Sequence, residues 1–173
     1  MYFYAKISKP AIDVKVFKRG ENPINQKEIK GTCECMAVLY ETPSDEQITV
    51  KIGQSYTSVE HAKLNYETEA LDIDFDTAKN KALSRWEEAL SRIKVEGGRK
   101  EDRIKFYTGL YHALLGRGLA NDVNGAYPKN DGSMGYLALD KNNKPTHNFY
   151  NTDAIWGGFW NLTQLWAIAY PEY

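Results

Sequence analysis

The last apolar segment sets the tightest limit on what this chain can fold into. Between Asp153 and Tyr170 the sequence places Ile155, Trp156, Phe159, Trp160, Leu162, Leu165, Trp166 and Ile168. A helix that is hydrophobic all round has to be enclosed by other elements. Only Pro171-Glu172-Tyr173 follow it. The run Leu162 to Tyr170 is interrupted by Thr163 and Gln164, so it falls far short of the roughly 20 apolar residues that span a bilayer. The segment is therefore expected to be an inner helix whose covering neighbours this chain does not supply.

The first third reads as strand. Tyr2 and Tyr4 alternate with Phe3 and Ala5, Val14 and Val16 follow, then the run Cys33 to Tyr40, then Ile48, Val50 and Ile52 alternating with Thr49 and Lys51; period-two alternation marks half-buried strands. Turn-rich stretches at Gly20-Glu21-Asn22-Pro23 and Thr42-Pro43-Ser44-Asp45 separate them, as Gly, Pro, Asn and Asp do. The start at Met1-Tyr2-Phe3-Tyr4-Ala5-Lys6 lacks the basic-then-apolar layout of a signal peptide and reads as a strand within a domain already under way. Cys33 and Cys35 are two apart, on one face of a strand but poorly placed to bridge each other, and read as buried thiols.

At Tyr56 the period changes. Thr57-Ser58-Val59-Glu60 fits a capping box, followed by a short helix with Val59, Ala62, Leu64 and Tyr66. Asp76 can cap a second helix over Thr77 to Ile93, where Ala78, Ala82, Trp86, Ala89, Leu90 and Ile93 recur beside charged residues, an amphipathic surface pattern. After Gly97-Gly98 a third helix is expected from about Glu101 to Leu115, with Ile104, Tyr107, Tyr111, Leu114 and Leu115 on one stripe, ending at Gly116-Arg117-Gly118. The stretch of some thirty residues from Asn121 to Asn151 is dense in Gly, Asn, Asp and Pro. A loop of that length in a compact fold signals a working surface or disorder.

Charge excludes several functions. Lys plus Arg total 22 against 23 Asp plus Glu, for a net charge of -1, so no field draws nucleic acid or an anionic membrane. The three histidines, His61, His112 and His147, are too scattered for a zinc spacing. No Ser, His and Asp set stands out, and Gly116-Arg117-Gly118 follows a helix where a phosphate loop precedes one.

Several ordered segments resemble one family. Phe106-Tyr107-Thr108-Gly109-Leu110-Tyr111-His112-Ala113-Leu114-Leu115 is similar to the opening helix of the catalytic domain of glycoside hydrolase family 92. Val50-Lys51-Ile52-Gly53-Gln54-Ser55-Tyr56, Ala62-Lys63-Leu64-Asn65 and Trp86-Glu87-Glu88-Ala89-Leu90 resemble its last sandwich strand and linker helices. Asn121-Asp122-Val123-Asn124-Gly125-Ala126-Tyr127 and Asn151-Thr152-Asp153-Ala154-Ile155-Trp156 agree downstream.

The resemblance implies an α+β chain: a partial antiparallel β-sandwich over residues 1–55, linker helices over 56–96, and the first helices of an (α/α)6 barrel over 97–173. It implies an inverting, exo-acting α-mannosidase that uses calcium, a mannose-containing glycan as substrate, and a periplasmic or extracellular site for the intact enzyme. Inversion needs a carboxylic acid to protonate the leaving oxygen and a carboxylate to activate water roughly 6.5 to 9.5 Å away; in the family both lie far downstream. Twelve helices of about 11 residues with loops of about 5 need on the order of 190 residues, and fewer than half that number follow Glu96. The chain is thus expected to be a fragment, inactive alone, whose partner is the remainder of the same enzyme. The family's common form follows the barrel tryptophan with an aspartate. Trp156 is followed by Gly157-Gly158, which resembles a variant branch.

Four residues are candidates for sugar contact. Trp156 suits stacking on a sugar face, or core packing. Asp153 is a hydroxyl acceptor, or the N-cap of the last helix. Asp122 and Asn124 face an active-site mouth, or serve the turn that Asn124-Gly125 forms by itself. A calcium loop there fails on pattern, because the regularly spaced acidic residues and closing Glu are missing. The competing function is a non-catalytic carbohydrate-binding or interaction module built on Trp156, Trp160 and Tyr127.

Overall fold

The computed structural model describes residues 1–25, 28, 34–115, 118–151 and 156–172. It is mixed α and β, with small two-stranded sheets and four α-helices, and divides into two compact units, Ala5–Lys51 and Met1–Tyr4 with Ile52–Tyr173.

In the smaller unit β2 (Asp13–Lys18) and β3 (Glu34–Leu39) pair antiparallel, Asp13 opposite Leu39 and Lys18 opposite Glu34. Val16 is fully buried and exchanges both backbone hydrogen bonds with Ile24. Cys35 is a free, half-buried thiol; Cys33 lies outside the described residues. β1 (Tyr2–Ile7) pairs with β4 (Val50–Ser55).

In the larger unit the chain leaves β4 and enters α1 (Val59–Glu69), whose N-cap is Ser58, accepting from His61 N at 3.1 Å. The cap falls one residue later than the sequence suggests, because the Thr57 hydroxyl is drawn to a carboxylate described below. Ala62 and Tyr66 turn inward and are buried, with the Tyr4 and Tyr66 rings 5.2 Å apart. This packing depends on Gly53: a Cβ there would lie 2.2 Å from the Ala62 carbonyl oxygen and 2.7 Å from Tyr66 Cβ.

α2 (Phe75–Leu90) is capped by Asp74, which accepts from Thr77 N at 2.7 Å, and not by Asp76. Asp74 holds the extended backbone a cap requires, and Asp76 lies in the first turn, where a negative charge complements the helix dipole. α3 (Lys100–Leu114) follows, and α4 (Leu162–Ala169) closes the chain. Leu110 and Leu114 of α3 pack with Trp166 and Tyr170 to form the core, flanked by Trp86, Ala89 and Leu90 of α2. Of the stripe expected on α3, Leu114 is buried, whereas Ile104, Tyr111 and Leu115 stay exposed.

The C-terminal segment is not one helix from Asp153. A 3-10 turn (Gly158–Trp160) precedes α4, and Asn161, not Asp153, holds the cap position; Asp153 lies outside the described residues. Trp166 Nε1 donates to Ala113 O at 3.2 Å, the Tyr170 hydroxyl donates to Ala89 O at 2.9 Å, and Arg92 bonds Ala169 O and Glu172. The inner side is thus covered by α2 and α3. The other side is open: Trp156 is 89% exposed, Trp160 73% and Ile168 83%. Tyr170→Phe removes the hydroxyl that reaches Ala89 and is expected to cost about 1 kcal/mol, read as a lower urea midpoint with unchanged slope.

The Gly- and Asn-rich stretch is ordered, which its length did not suggest. β5 (Gly118–Leu119) pairs with β8 (Tyr150–Asn151), β6 (Ala126–Pro128) pairs with β7 (Met134–Tyr136), and Leu139 bridges Pro145. Aspartates hold the turns. Asp131 accepts from Ser133 N and Oγ, and Asp140 accepts from Asn142 N and Lys144 N. These bonds favour the charged forms and hold both carboxyls below their usual range.

Candidate functional site

The end of β4, the first turns of α1 and the stretch after β5 converge on one buried carboxylate. Helical spacing puts His61 and Asn65, four apart, on one face of α1. Ser55 ends β4 and Thr57 lies in the link between them. Asp122 arrives from the turn preceding β6.

Asp122 is 2% exposed, and both its oxygens are engaged. Oδ1 accepts from Asn65 Nδ2 at 2.7 Å. Oδ2 accepts from Ser55 Oγ at 2.9 Å and Thr57 Oγ1 at 2.5 Å, with His61 Nδ1 at 3.4 Å. Asn65 also donates to Gln54 O and accepts from Val123 N. The Asn65 amide thus spans β4 and the Asp122 turn. A buried charge persists only when paired and hydrogen-bonded, and here four neighbouring side chains meet that need.

The turn is built around the same residue. Asp122 N donates to Ala126 O and Gly125 N donates to Asp122 O, both at 2.8 Å, while Asn124 Oδ1 accepts from Ala126 N at 3.1 Å. Gly125 sits at φ +83, a backbone region open to glycine. The structure therefore brings Asp122 and Asn124 together in one turn, Asn124 acting on the backbone. Trp156 stands among exposed aromatics, Phe159 and Trp160 meeting edge to face at 5.7 Å.

Sequence reasoning missed Ser55, Thr57, His61 and Asn65. The helical spacing of His61 and Asn65 was visible, but the common partner Asp122 is 57 to 67 residues away, a distance no local pattern spans. Beside the cluster, Tyr136 meets His61 edge-on, ring centroids 6.4 Å apart, and Tyr127 stacks on Phe149 at 4.6 Å. His112 is exposed on α3 against Tyr111.

An open groove runs between the end of α2 and α3, lined by Leu90, Val95, Ile104, Tyr107, Tyr111 and His112 with Lys100 and Arg103. Among the described residues that line it none is a carboxylate. Among the described residues no group of three or more His, Cys, Asp or Glu is placed to hold a metal ion, and no helix is long and apolar enough to cross a membrane.

A family model described as "Glycosyl hydrolase family 92 catalytic domain" matches residues 61–173. Among solved structures, an inverting family 92 mannosidase from Bacteroides thetaiotaomicron superposes with a TM-score of 0.77 at 25% identity, covering 98% of this chain and 22% of that one. A family 92 α-mannosidase from the same organism gives a TM-score of 0.81 at 22% identity, over 98% of this chain and 23% of that one. The chain thus spans less than a quarter of the length of these enzymes. No curated protein matches.

Proposed function

The chain belongs to glycosyl hydrolase family 92, and from that premise we propose that it forms part of an inverting, exo-acting α-mannosidase acting on mannose-containing glycans. The observation that carries this reading is the family match over 61–173, joined to a superposition on an inverting mannosidase over nearly all of this chain. Residues 1–55 are then the closing strands of a β-sandwich, 56–96 a helical linker, and 97–173 the opening of an (α/α)6 barrel. The remainder of the enzyme is the partner that covers the open side of the α4 segment.

Within this reading the residues divide by what they can reach. Trp156 has a free ring face for a sugar, and Asp153, three residues before it, supplies a hydroxyl acceptor. Asp122 and Asn124 act through the turn they build, since the Asp122 carboxylate is saturated by protein donors. The acid and the base lie outside these residues. Calcium does not fit what is described here: the groups around Asp122 are mostly donors, whereas the ion takes six to eight oxygen acceptors.

Two outcomes test the proposal. The polypeptide of these 173 residues is expected to release no mannose from α-linked mannosides in the presence of calcium; hydrolysis above a heat-denatured control overturns the assignment of both carboxylates elsewhere. Trp156→Ala is expected to weaken mannoside binding roughly tenfold, as the loss of one stacked aromatic worth about 1 kcal/mol or slightly more implies. Because the ring is exposed, the unfolding midpoint is expected to stay within about 0.5 kcal/mol of the parent; an unchanged affinity removes Trp156 from the site.

The exposed trio Trp156, Phe159 and Trp160 favours a second reading, a non-catalytic carbohydrate-binding module. Binding of mannobiose does not separate the two readings; a chain shown by sedimentation to be a folded monomer selects the binding module, whereas one that is molten or associates through the open side of α4 favours the enzyme part.

A further inference from the structure

The buried cluster fixes more than the turn. Thr57 Oγ1 touches three groups at once: Asp122 Oδ2 at 2.5 Å, His61 Nδ1 at 2.7 Å and Ser55 Oγ at 2.9 Å. A hydroxyl has one proton to give and lone pairs to accept with, whereas an ionised carboxylate only accepts. The Ser55 hydroxyl donates to Asp122 and its oxygen receives the backbone N–H groups of Thr57 and Ser58. Were the Thr57 proton turned to His61, the oxygens of Thr57 and Asp122 would face each other with no hydrogen between them. The proton goes to Asp122 across the shortest contact, which leaves the longer Ser55–Thr57 pair at 2.9 Å as the one pair of oxygens without a hydrogen between them, and Thr57 Oγ1 is then the acceptor for His61. A bare Nδ1 lone pair would also point at the Asp122 charge 3.4 Å away, an unfavourable pairing that Nδ1–H turns into an attractive one.

We infer that Asp122 and Thr57 hold neutral His61 in its Nδ1–H form, leaving Nε2 as a preset hydrogen-bond acceptor beside the Tyr136 ring for a hydroxyl of a sugar ligand. The ligand half of this inference rests on the carbohydrate reading above. Nε2 has no hydrogen-bond partner among the described residues. Tyr136 meets the imidazole edge-on and is 62% exposed. An exposed aromatic face next to one oriented polar atom is the pairing small polar ligands use: the ring covers a C–H face and the acceptor fixes one hydroxyl. His61 would be the contact residue, with Asp122 and Thr57 as positioning residues that act through it, in the way a hydrogen bond at one ring nitrogen sets the role of the other.

The test uses the full 173-residue chain labelled with nitrogen-15. Long-range nitrogen–proton spectra, taken where the ring is neutral, are expected to show His61 Nδ1 protonated and Nε2 bare. A bare Nδ1 overturns the inference outright. Thr57→Val removes the acceptor and is expected to shift the ring toward the Nε2–H form, while Thr57→Ser restores the parent spectrum. Should the valine variant fail to fold, the parent and serine spectra still decide the tautomer. Methyl α-mannoside is then added, with tryptophan fluorescence as an independent report of binding. Quenching together with a shift at His61 Nε2 supports the acceptor role. Quenching with no change at Nε2 overturns that role while leaving the carbohydrate reading intact. A shift at Nε2 without quenching supports the acceptor role as well, whereas neither quenching nor a shift at any concentration overturns the carbohydrate reading and the ligand half with it, the tautomer having been settled by the first measurement.

Discussion

Asp122→Ala is expected to cost the chain about 3 to 5 kcal/mol of stability, since it strands three hydrogen-bond donors at about 1 to 3 kcal/mol each, less what water recovers at the part-exposed Thr57. The alanine takes away the acceptor of Asn65 Nδ2, Ser55 Oγ and Thr57 Oγ1. It leaves those donors enclosed, because Ser55 and Asn65 are themselves buried. Each stranded donor carries its own desolvation penalty, so the loss exceeds that of the carboxylate's own hydrogen bonds. Stabilities of small domains lie near 5 to 15 kcal/mol, so a loss of this size removes much of the margin. Asp122→Asn keeps the shape but turns an amide nitrogen toward hydroxyl and amide donors, and is expected to fall between parent and alanine. Urea unfolding followed by far-ultraviolet circular dichroism measures both. A midpoint for the alanine variant within 1 kcal/mol of the parent contradicts the network described here.

Gly53→Ala is expected to cost about 3 kcal/mol or more, at or beyond the upper end of ordinary overpacking. The added methyl meets Ala62 O at 2.2 Å, Tyr66 Cβ at 2.7 Å and Tyr66 N at 2.8 Å. These are backbone or backbone-adjacent atoms of α1, with no rotamer to give way, so relief requires α1 to move off β4. That motion pulls His61 and Asn65 away from Asp122, and the cost of the methyl and the cost of the network add. Gly20→Ala offers no equivalent clash, since open space surrounds it, although its positive φ adds backbone strain. A smaller loss at Gly53 than at Gly20 would show that α1 does not rest on this strand.

Much of the layout was legible in the sequence because it is written in local periodicity. The four strands of the first third and the three helices after Tyr56 follow alternation and helical spacing, as in Val50-Lys51-Ile52 or in Trp86, Ala89 and Leu90. The caps were harder. Asp74 and Asp76 are chemically equal candidates, and only the extended backbone at Asp74 decides between them. The Asn121 to Asn151 stretch hid its hairpins because strands of two or three residues are too short to show a period. The apolar run near the C-terminus overstated helix, since Gly157-Gly158 and Asn161 break it into a 3-10 turn and an eight-residue helix. At the candidate site Asp122 and Asn124 were visible as polar residues in a turn. Their division into a buried carboxylate and a backbone-bonding amide depends on α1, which approaches only in three dimensions.

The sequence separations closed by the carboxylate bear on the order of assembly. Its bonds to Asn65 and Ser55 join residues 57 and 67 apart, whereas α2 and α3 meet across a short link, Trp86 against Tyr111 at 4.5 Å. Closing a long loop is paid in chain entropy before its contacts return anything. Local helix pairing is therefore expected before the Asp122 contacts, as it is before the Tyr170 to Ala89 contact, which spans 81 residues. The cluster is then expected to act as a latch on a body already formed, so that removing it speeds opening more than it slows folding.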